Sequence, residues 1–133
     1  MIFVDSSFWI ALSVGRERRH PESEQLLAGS ASEALVTSNA VRGETWTFLR
    51  RRYGHRAAVA FADRLERSPR VRLEFVTPAQ EAEALRWLRR HDERPYSFVD
   101  ATSFVLMRSL RIREALAFDD DFTAAGFVEL RPR

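Results

Sequence analysis

Cysteine and lysine are both absent from this chain of 133 residues, and histidine occurs only three times. Without cysteine there is no disulfide framework and no thiolate zinc site. Without lysine, the amine that a P-loop extends to its phosphates is missing, and Schiff-base chemistry is closed. Receiver domains and haloacid-dehalogenase-type phosphatases, two α/β classes with clustered aspartates, also rely on a lysine and are excluded with it. No apolar run approaches the length of a membrane span. Asp5 interrupts the first apolar run after four residues, which is not the layout of a secretory signal. These absences lead to the expectation of a cytoplasmic protein with no membrane partner.

What is present looks ordinary in bulk. A hydrophobic fraction of 45% and a charged fraction of 30% are those of a soluble globular protein. One domain spanning 1–133 is long enough to bury a real core. The net charge is only +2, and every Lys/Arg-class cation is an arginine. Two arginine clusters stand out, Arg50, Arg51 and Arg52 with Arg56, and Arg86, Arg89 and Arg90 with Arg94. Such runs are commonly a solvated helix face. The functional alternative is that their planar guanidinium forks grip phosphates.

Four acids occupy positions that a folding chain normally keeps apolar. Asp5 ends Met1-Ile2-Phe3-Val4, Glu44 interrupts the apolar face of Ala40 to Leu49, Asp100 lies inside Phe98-Val99-Asp100-Ala101, and Asp119 follows Ala115-Leu116-Ala117-Phe118. An ionised carboxylate in a dry setting is costly unless a cation compensates it. A gathered set of acids with almost no His or Cys is the ligand chemistry of Mg²⁺ or Mn²⁺. Taken singly, Asp5 and Asp119 also read as helix N-caps. Glu44 has Arg42 and Arg50 to Arg52 as alternative partners, whereas Asp100 has no arginine on its helix before Arg108.

The pattern predicts strands at Met1 to Val4, Ala34 to Thr37, Val71 to Val76, Glu114 to Phe118 and Phe127 to Leu130. Between them it predicts a helix opened by Asp5-Ser6-Ser7 and stopped by Gly15, and helices from Pro21 to Gly29, from a cap at Ser38 or Asn39 to Tyr53, from Ala57 to Leu65, from Ala79 to Arg90, from Ser97 to Leu110 and from Asp119 to Ala125. Alternation of this kind implies an α/β fold, a parallel sheet covered on both faces, with its working site beyond the carboxyl ends of the strands. Asp5 and Asp119 each follow a strand, and the helical phases of Glu44 and Asp100 point toward the sheet. All four acids are therefore expected on one edge. Thr102 and Ser103 either orient a water or bond their own helix. His20, His55 and His91 read as surface residues. Phe8, Trp9, Trp46 and Phe48 belong either to the core or to a partner groove.

The segments Ile2-Phe3-Val4-Asp5-Ser6-Ser7, Thr37-Ser38-Asn39 through Glu44, Tyr96-Ser97-Phe98-Val99-Asp100-Ala101 and Phe118-Asp119-Asp120-Asp121-Phe122 through Gly126-Phe127 occur in the order and spacing of a known family. The chain resembles a PIN-domain protein of the VapC type, the toxin half of a type II toxin–antitoxin pair. That resemblance implies a PIN-like three-layer fold with a central parallel sheet of about five strands flanked by helices. It implies a Mg²⁺- or Mn²⁺-dependent endoribonuclease, a homodimer and a small cognate VapB-type antitoxin. Asp5, Glu44, Asp100 and Asp119 become the catalytic quartet, with Asp5 and Asp100 as principal ligands, Glu44 and Asp119 supporting them and Asp121 at the rim. Arg50, Arg51, Arg52 and Arg56 become the RNA-binding candidates. Such toxins cut tRNA or the sarcin–ricin loop of ribosomal RNA; Glu44-Thr45-Trp46 and the Tyr96 to Phe104 segment look closer to the ribosomal-RNA cutters. Ala117 departs from the family, which often has Thr or Ser two residues before its last acid. The alternative function is a PIN-like module that binds RNA or a partner without cutting, which would be expected to lack one of the acids.

Overall fold

In the computed structural model, which describes residues 1–133, five short strands form the sheet: β1 (Ile2–Val4), β2 (Leu35–Ser38), β3 (Val71–Glu74), β4 (Glu114–Leu116) and β5 (Val128–Glu129). Seven helices surround them: α1 (Ser6–Ser13), α2 (His20–Gly29), α3 (Asn39–Tyr53), α4 (His55–Arg67), α5 (Pro78–Arg90), α6 (Phe98–Ser109) and α7 (Asp121–Ala124). All four strand pairings are parallel, in the order β3-β2-β1-β4-β5. The central strands β1 and β2 are buried along their whole length, which is why they read as continuous apolar runs rather than alternating ones.

The topology decides where a site can form. From β1 the chain steps to β2 and β3 on one side, then returns past β1 to β4 and β5 on the other. Strand order therefore reverses between β1 and β4, and the crevice beyond their carboxyl ends is the place such sheets leave for chemistry. Asp5 and Asp119 lie just beyond those two ends. The core beneath includes Phe3, Val4, Phe8, Val36, Phe104, Leu116 and Phe122, all fully buried. Helix α6 is buried continuously from Asp100 to Met107, in keeping with a helix apolar nearly all round.

Element ends move by a few residues from those predicted. Ser38 rather than Asn39 caps α3, accepting from the Val41 N–H at 3.0 Å. Asn39 Oδ1 is thereby free to accept from the Val76 N–H at 2.8 Å, pinning the chain where it leaves β3. Gly54, at φ 101, is the only residue between α3 and α4, so α4 starts at His55 rather than Ala57. Helix α7 is shorter than expected and leaves Asp119 in the turn ahead of it, with Asp120 left-handed at φ 66. Phe8 and Trp9 are core residues, Trp46 is half-buried and Phe48 is 40% exposed.

Candidate metal centre and active site

Asp5 is built into the sheet and into a helix at once. Its N–H donates to the Leu116 carbonyl at 3.0 Å, extending the β1–β4 ladder by one bond. Its Oδ2 caps α1, accepting from the Ser7 N–H at 3.2 Å and the Ser7 hydroxyl at 2.7 Å. The Ser7 Oγ also accepts from the Phe118 N–H at 3.0 Å, so one hydroxyl ties Asp5 to the chain leaving β4. The N-cap reading is correct and does not exhaust the residue. Asp5 is 1% exposed, and its Oδ1 is a buried acceptor with no hydrogen-bond partner in the protein. Such an atom is costly until a proton or cation reaches it.

Asp100 repeats the arrangement at the start of α6. Ser97 Oγ accepts from the Asp100 N–H at 2.9 Å while Asp100 Oδ2 accepts from the Ser97 N–H at 2.9 Å, a reciprocal capping box. Again one carboxylate oxygen anchors the helix and the other is left to the crevice. Asp119 Oδ1 accepts from the Asp121 N–H at 3.1 Å. A carboxylate oxygen from each of Asp5, Asp100 and Asp119 lies within 4.8 Å of the others.

The electrostatics match that crowding. Burial, then the Asp119 charge, then Glu44 push Asp5 up to about 8. Burial, followed by Asp5 and Asp121, raises Asp100 to about 7. Asp119 is more open as a residue, yet desolvation of its carboxyl, then Asp100 and Asp121, takes it to about 6. Three acids held protonated or charge-strained near neutrality, one with an orphaned oxygen and none with an arginine at salt-bridge distance, form a donor set that fits a hard divalent cation.

Glu44 reaches the same crevice at one remove, its charge acting on Asp5. It is exposed, it stands outside the trio, and it is joined to the site through the Ser6 hydroxyl, which donates to its Oε1 at 2.6 Å. Neither Arg42 nor Arg50 to Arg52 forms an ion pair with it. Asp121 also stays outside the trio, because Arg94 holds its Oδ1 with Nε at 3.0 Å and Nη2 at 2.8 Å. Arg51 and Arg52 line an open groove of about 880 Å³ with Glu44, Thr47, Phe48 and Val99. The α3 members of that wall are one helical stripe running up from Glu44. Arg50 and Arg56 are exposed but do not line it.

Thr102 and Ser103 both donate to the Val99 carbonyl, bonding their own helix. The three histidines are spent elsewhere: His20 bonds the Ala11 carbonyl, His55 meets the Trp46 edge, and His91 stacks on Trp87 at 4.1 Å. Sequence reasoning missed Ser7 as the anchor of Asp5 and Arg94 as the partner of Asp121. The first had a signal in the Asp-Ser-Ser run directly after a strand; the second, spanning 27 residues, had none.

Compared with known proteins, residues 2–128 match the PIN domain. The chain belongs to the PIN-domain family. It is 58% identical over 132 residues, 99% of either chain, to the 23S rRNA-specific endonuclease VapC20 from two strains of Mycobacterium tuberculosis. The crystal structure of M. tuberculosis VapC20, described as a sarcin–ricin loop cleaving toxin, is similar at a TM-score of 0.92 and 55% identity, covering 99% of this chain and 100% of that one. FitAcB from Neisseria gonorrhoeae shares the fold at a TM-score of 0.62 and 14% identity, covering 97% and 95%. This PIN domain is thus of the VapC endonuclease type. None of its helices is long and apolar enough to cross a membrane.

Proposed function

We propose that this PIN domain is the toxin of a type II toxin–antitoxin pair, an endoribonuclease that hydrolyses a phosphodiester in the sarcin–ricin loop of 23S ribosomal RNA. The observation that carries the reading is the carboxylate trio Asp5, Asp100 and Asp119, one of whose members, Asp5, has a buried oxygen with no hydrogen-bond partner. Whole-length identity of 58% to a ribosomal-RNA endonuclease supports the choice of target over tRNA.

Asp5 and Asp100 would be the principal holders of Mg²⁺ or Mn²⁺, with Asp119 beside them and Glu44 reaching in through a water. Such an ion, when bound, offsets charge on the scissile phosphate and acidifies a water. The chain does the rest by placement. Ser7 and Ser97 fix the two principal acids by their anchored oxygens, so the free oxygens keep one geometry. Ser6 holds Glu44 at the mouth, where its second oxygen can accept a proton from solvent. Arg51 and Arg52, on the stripe above Glu44, take the RNA backbone on either side of the cut, and Phe48 offers an exposed ring to an unstacked base. Arg50 and Arg56 lie off this path.

A homodimer and a VapB-type antitoxin complete the reading. A pocket of raised acids attracts a cationic side chain as readily as a metal ion, so an antitoxin arginine seated there would block the site. The test is primer extension across the sarcin–ricin loop after incubating ribosomes with wild-type protein or Asp100→Asn, with and without EDTA. Wild type is expected to give one metal-dependent stop and the variant none. A variant that cuts at the parental rate would sink the assignment, and a wild type that binds RNA without cutting would favour the non-catalytic module.

A further inference from the structure

Three carboxylates in this molecule are buried: Asp5, Asp100 and Glu129. The first two face the cation site. Glu129, whose side chain is 2% exposed, lies on the edge strand β5 and outside the trio. A buried acid must be satisfied by donors, and the identity of its donors shows what it organises.

Those donors all belong to, or grip, the turn that presents Asp119. Glu129 Oε2 accepts from the Thr123 N–H at 2.9 Å, and its Oε1 accepts from the Asp120 N–H at 3.3 Å. Arg131 Nη2 donates to the same Oε1 at 3.1 Å. Thr123 is the third residue of α7, whose N-cap position, Asp120, has no side-chain capping bond and a left-handed backbone that L residues disfavour. Glu129 therefore supplies from a neighbouring strand the acceptor that the local sequence does not. Arg131 extends the grip backward: its Nη1 donates to the Ala117 carbonyl at 2.8 Å and its guanidinium lies 5.3 Å from the Phe118 ring centre. Both sides of Asp119 are thus held by Glu129 on β5 and Arg131 just beyond it.

We infer that Glu129, paired with Arg131, is a positioning residue for Asp119: it fixes the 119–121 turn so that the Asp119 carboxylate stays within ligand distance of Asp5 and Asp100. The inference rests on the cation site proposed above. A neutral amide cannot substitute. Glutamine keeps one acceptor oxygen but turns an N–H₂ group toward either the Thr123 N–H or the Arg131 guanidinium. If Glu129 merely stiffened the edge of the sheet, its loss would lower the melting temperature and leave cation affinity untouched.

The experiment measures Mn²⁺ binding to the metal-stripped full chain by electron paramagnetic resonance, with melting temperature alongside. Glu129→Gln is expected to weaken Mn²⁺ binding about 10-fold or more, as losing the support of a metal ligand does. Leu65→Ala, in α4 away from the site, is expected to lower the melting temperature and leave Mn²⁺ affinity unchanged. In an Asp119→Asn background, Glu129→Gln should weaken binding no further, because its route is through Asp119. Wild-type affinity in Glu129→Gln, an equal loss in Leu65→Ala, or a Glu129 effect that persists without Asp119 would each overturn the inference. Should Glu129→Gln not fold, Arg131→Gln takes its place, with a smaller loss of the same sign expected and wild-type affinity overturning it. A wild-type protein that binds no Mn²⁺ would bring down the nuclease reading itself, whereas normal wild-type binding with an indifferent Glu129→Gln brings down this inference alone.

Discussion

The two walls of the crevice are built on opposite principles. On the β1–α1 wall, Asp5 is sealed from solvent and held by backbone and a serine hydroxyl, with no cation at salt-bridge distance and one oxygen left bare. On the β4–α7 wall, Asp119 rides an open turn beside acids that have arginine partners, Asp121 with Arg94 and Glu129 with Arg131. The first wall is held by uncharged hydrogen bonds and leaves its carboxylate without a cation. The second pairs its neighbouring acids with arginines, and its shape depends on ion pairs drawn from β5 with the residues after it and from the segment after α5. Instability that a cation relieves is therefore concentrated at Asp5, while adjustability belongs to Asp119.

The largest effect should come from Asp5→Asn. Removing the most strained carboxylate is expected to cut RNA cleavage on the order of 10³-fold, the scale of losing a key electrostatic group at a reacting centre. The same change should raise the melting temperature of the metal-free protein at pH 8, because a buried charge has gone. Asp119→Asn should give the smaller rise of the two. Cleavage assays and thermal melts in EDTA read both numbers, and an equal gain at the two positions would erase the contrast between the walls.

The pH dependence follows in size. An acid whose value is raised on folding binds its proton more tightly in the folded state than in the unfolded one. Asp5, Asp100 and Asp119 rise from the ordinary 3.8 to about 8, about 7 and about 6. Metal-free stability is therefore greatest in mild acid and falls as pH rises from about 4 toward 8, by about 1.4 kcal/mol per pH unit for each proton retained only on folding. Saturating Mg²⁺ or Mn²⁺ should flatten the decline. Chemical denaturation from pH 5 to pH 8, with and without metal, measures it; a metal-free protein that gains stability across that window contradicts the electrostatics of the site.

Ser7→Ala comes next. It strips Asp5 Oδ2 of its shortest hydrogen bond and leaves the Phe118 N–H without its acceptor, so stability should fall by about 1–3 kcal/mol. Cleavage should fall with it, since Asp5 loses its anchor. Urea denaturation beside a cleavage assay would show whether the two losses travel together.

How much of this could be read beforehand depends on what carried each feature. The strand-helix alternation and the strand-end positions of Asp5 and Asp119 were legible, because apolar runs and the acids that end them are local patterns. Asp100 was legible because an acid in an apolar helix has no other local explanation. Glu44 was legible as to side but not as to distance: helical phase put it on the right face of α3, but phase does not reveal the Ser6 hydroxyl that links it to the site. Arg94, Glu129 and Arg131 were invisible as a system. Their partners are joined across the sheet edge and the segment after α5, and nothing in an arginine or glutamate distinguishes a solvated face from a clamp.

Arg94→Gln should have the smallest effect, and its sign is the informative part. The Arg94–Asp121 pair is half-open, with side-chain exposures of 38% and 18%, so its loss should cost little stability, and less still in 1 M salt. Arg94 also places a positive charge on the rim of the proposed cation site. Removing it frees the Asp121 carboxylate to add its field to Asp100 and Asp119, which already feel it. Mn²⁺ binding is therefore expected to tighten, on the order of twofold at low ionic strength. Glu129→Gln, on the same wall, loosens it. Opposite signs from two residues that both brace the Asp119 turn would separate charge from placement there. A weakening in both would mean that Arg94, like Glu129, acts by holding the turn.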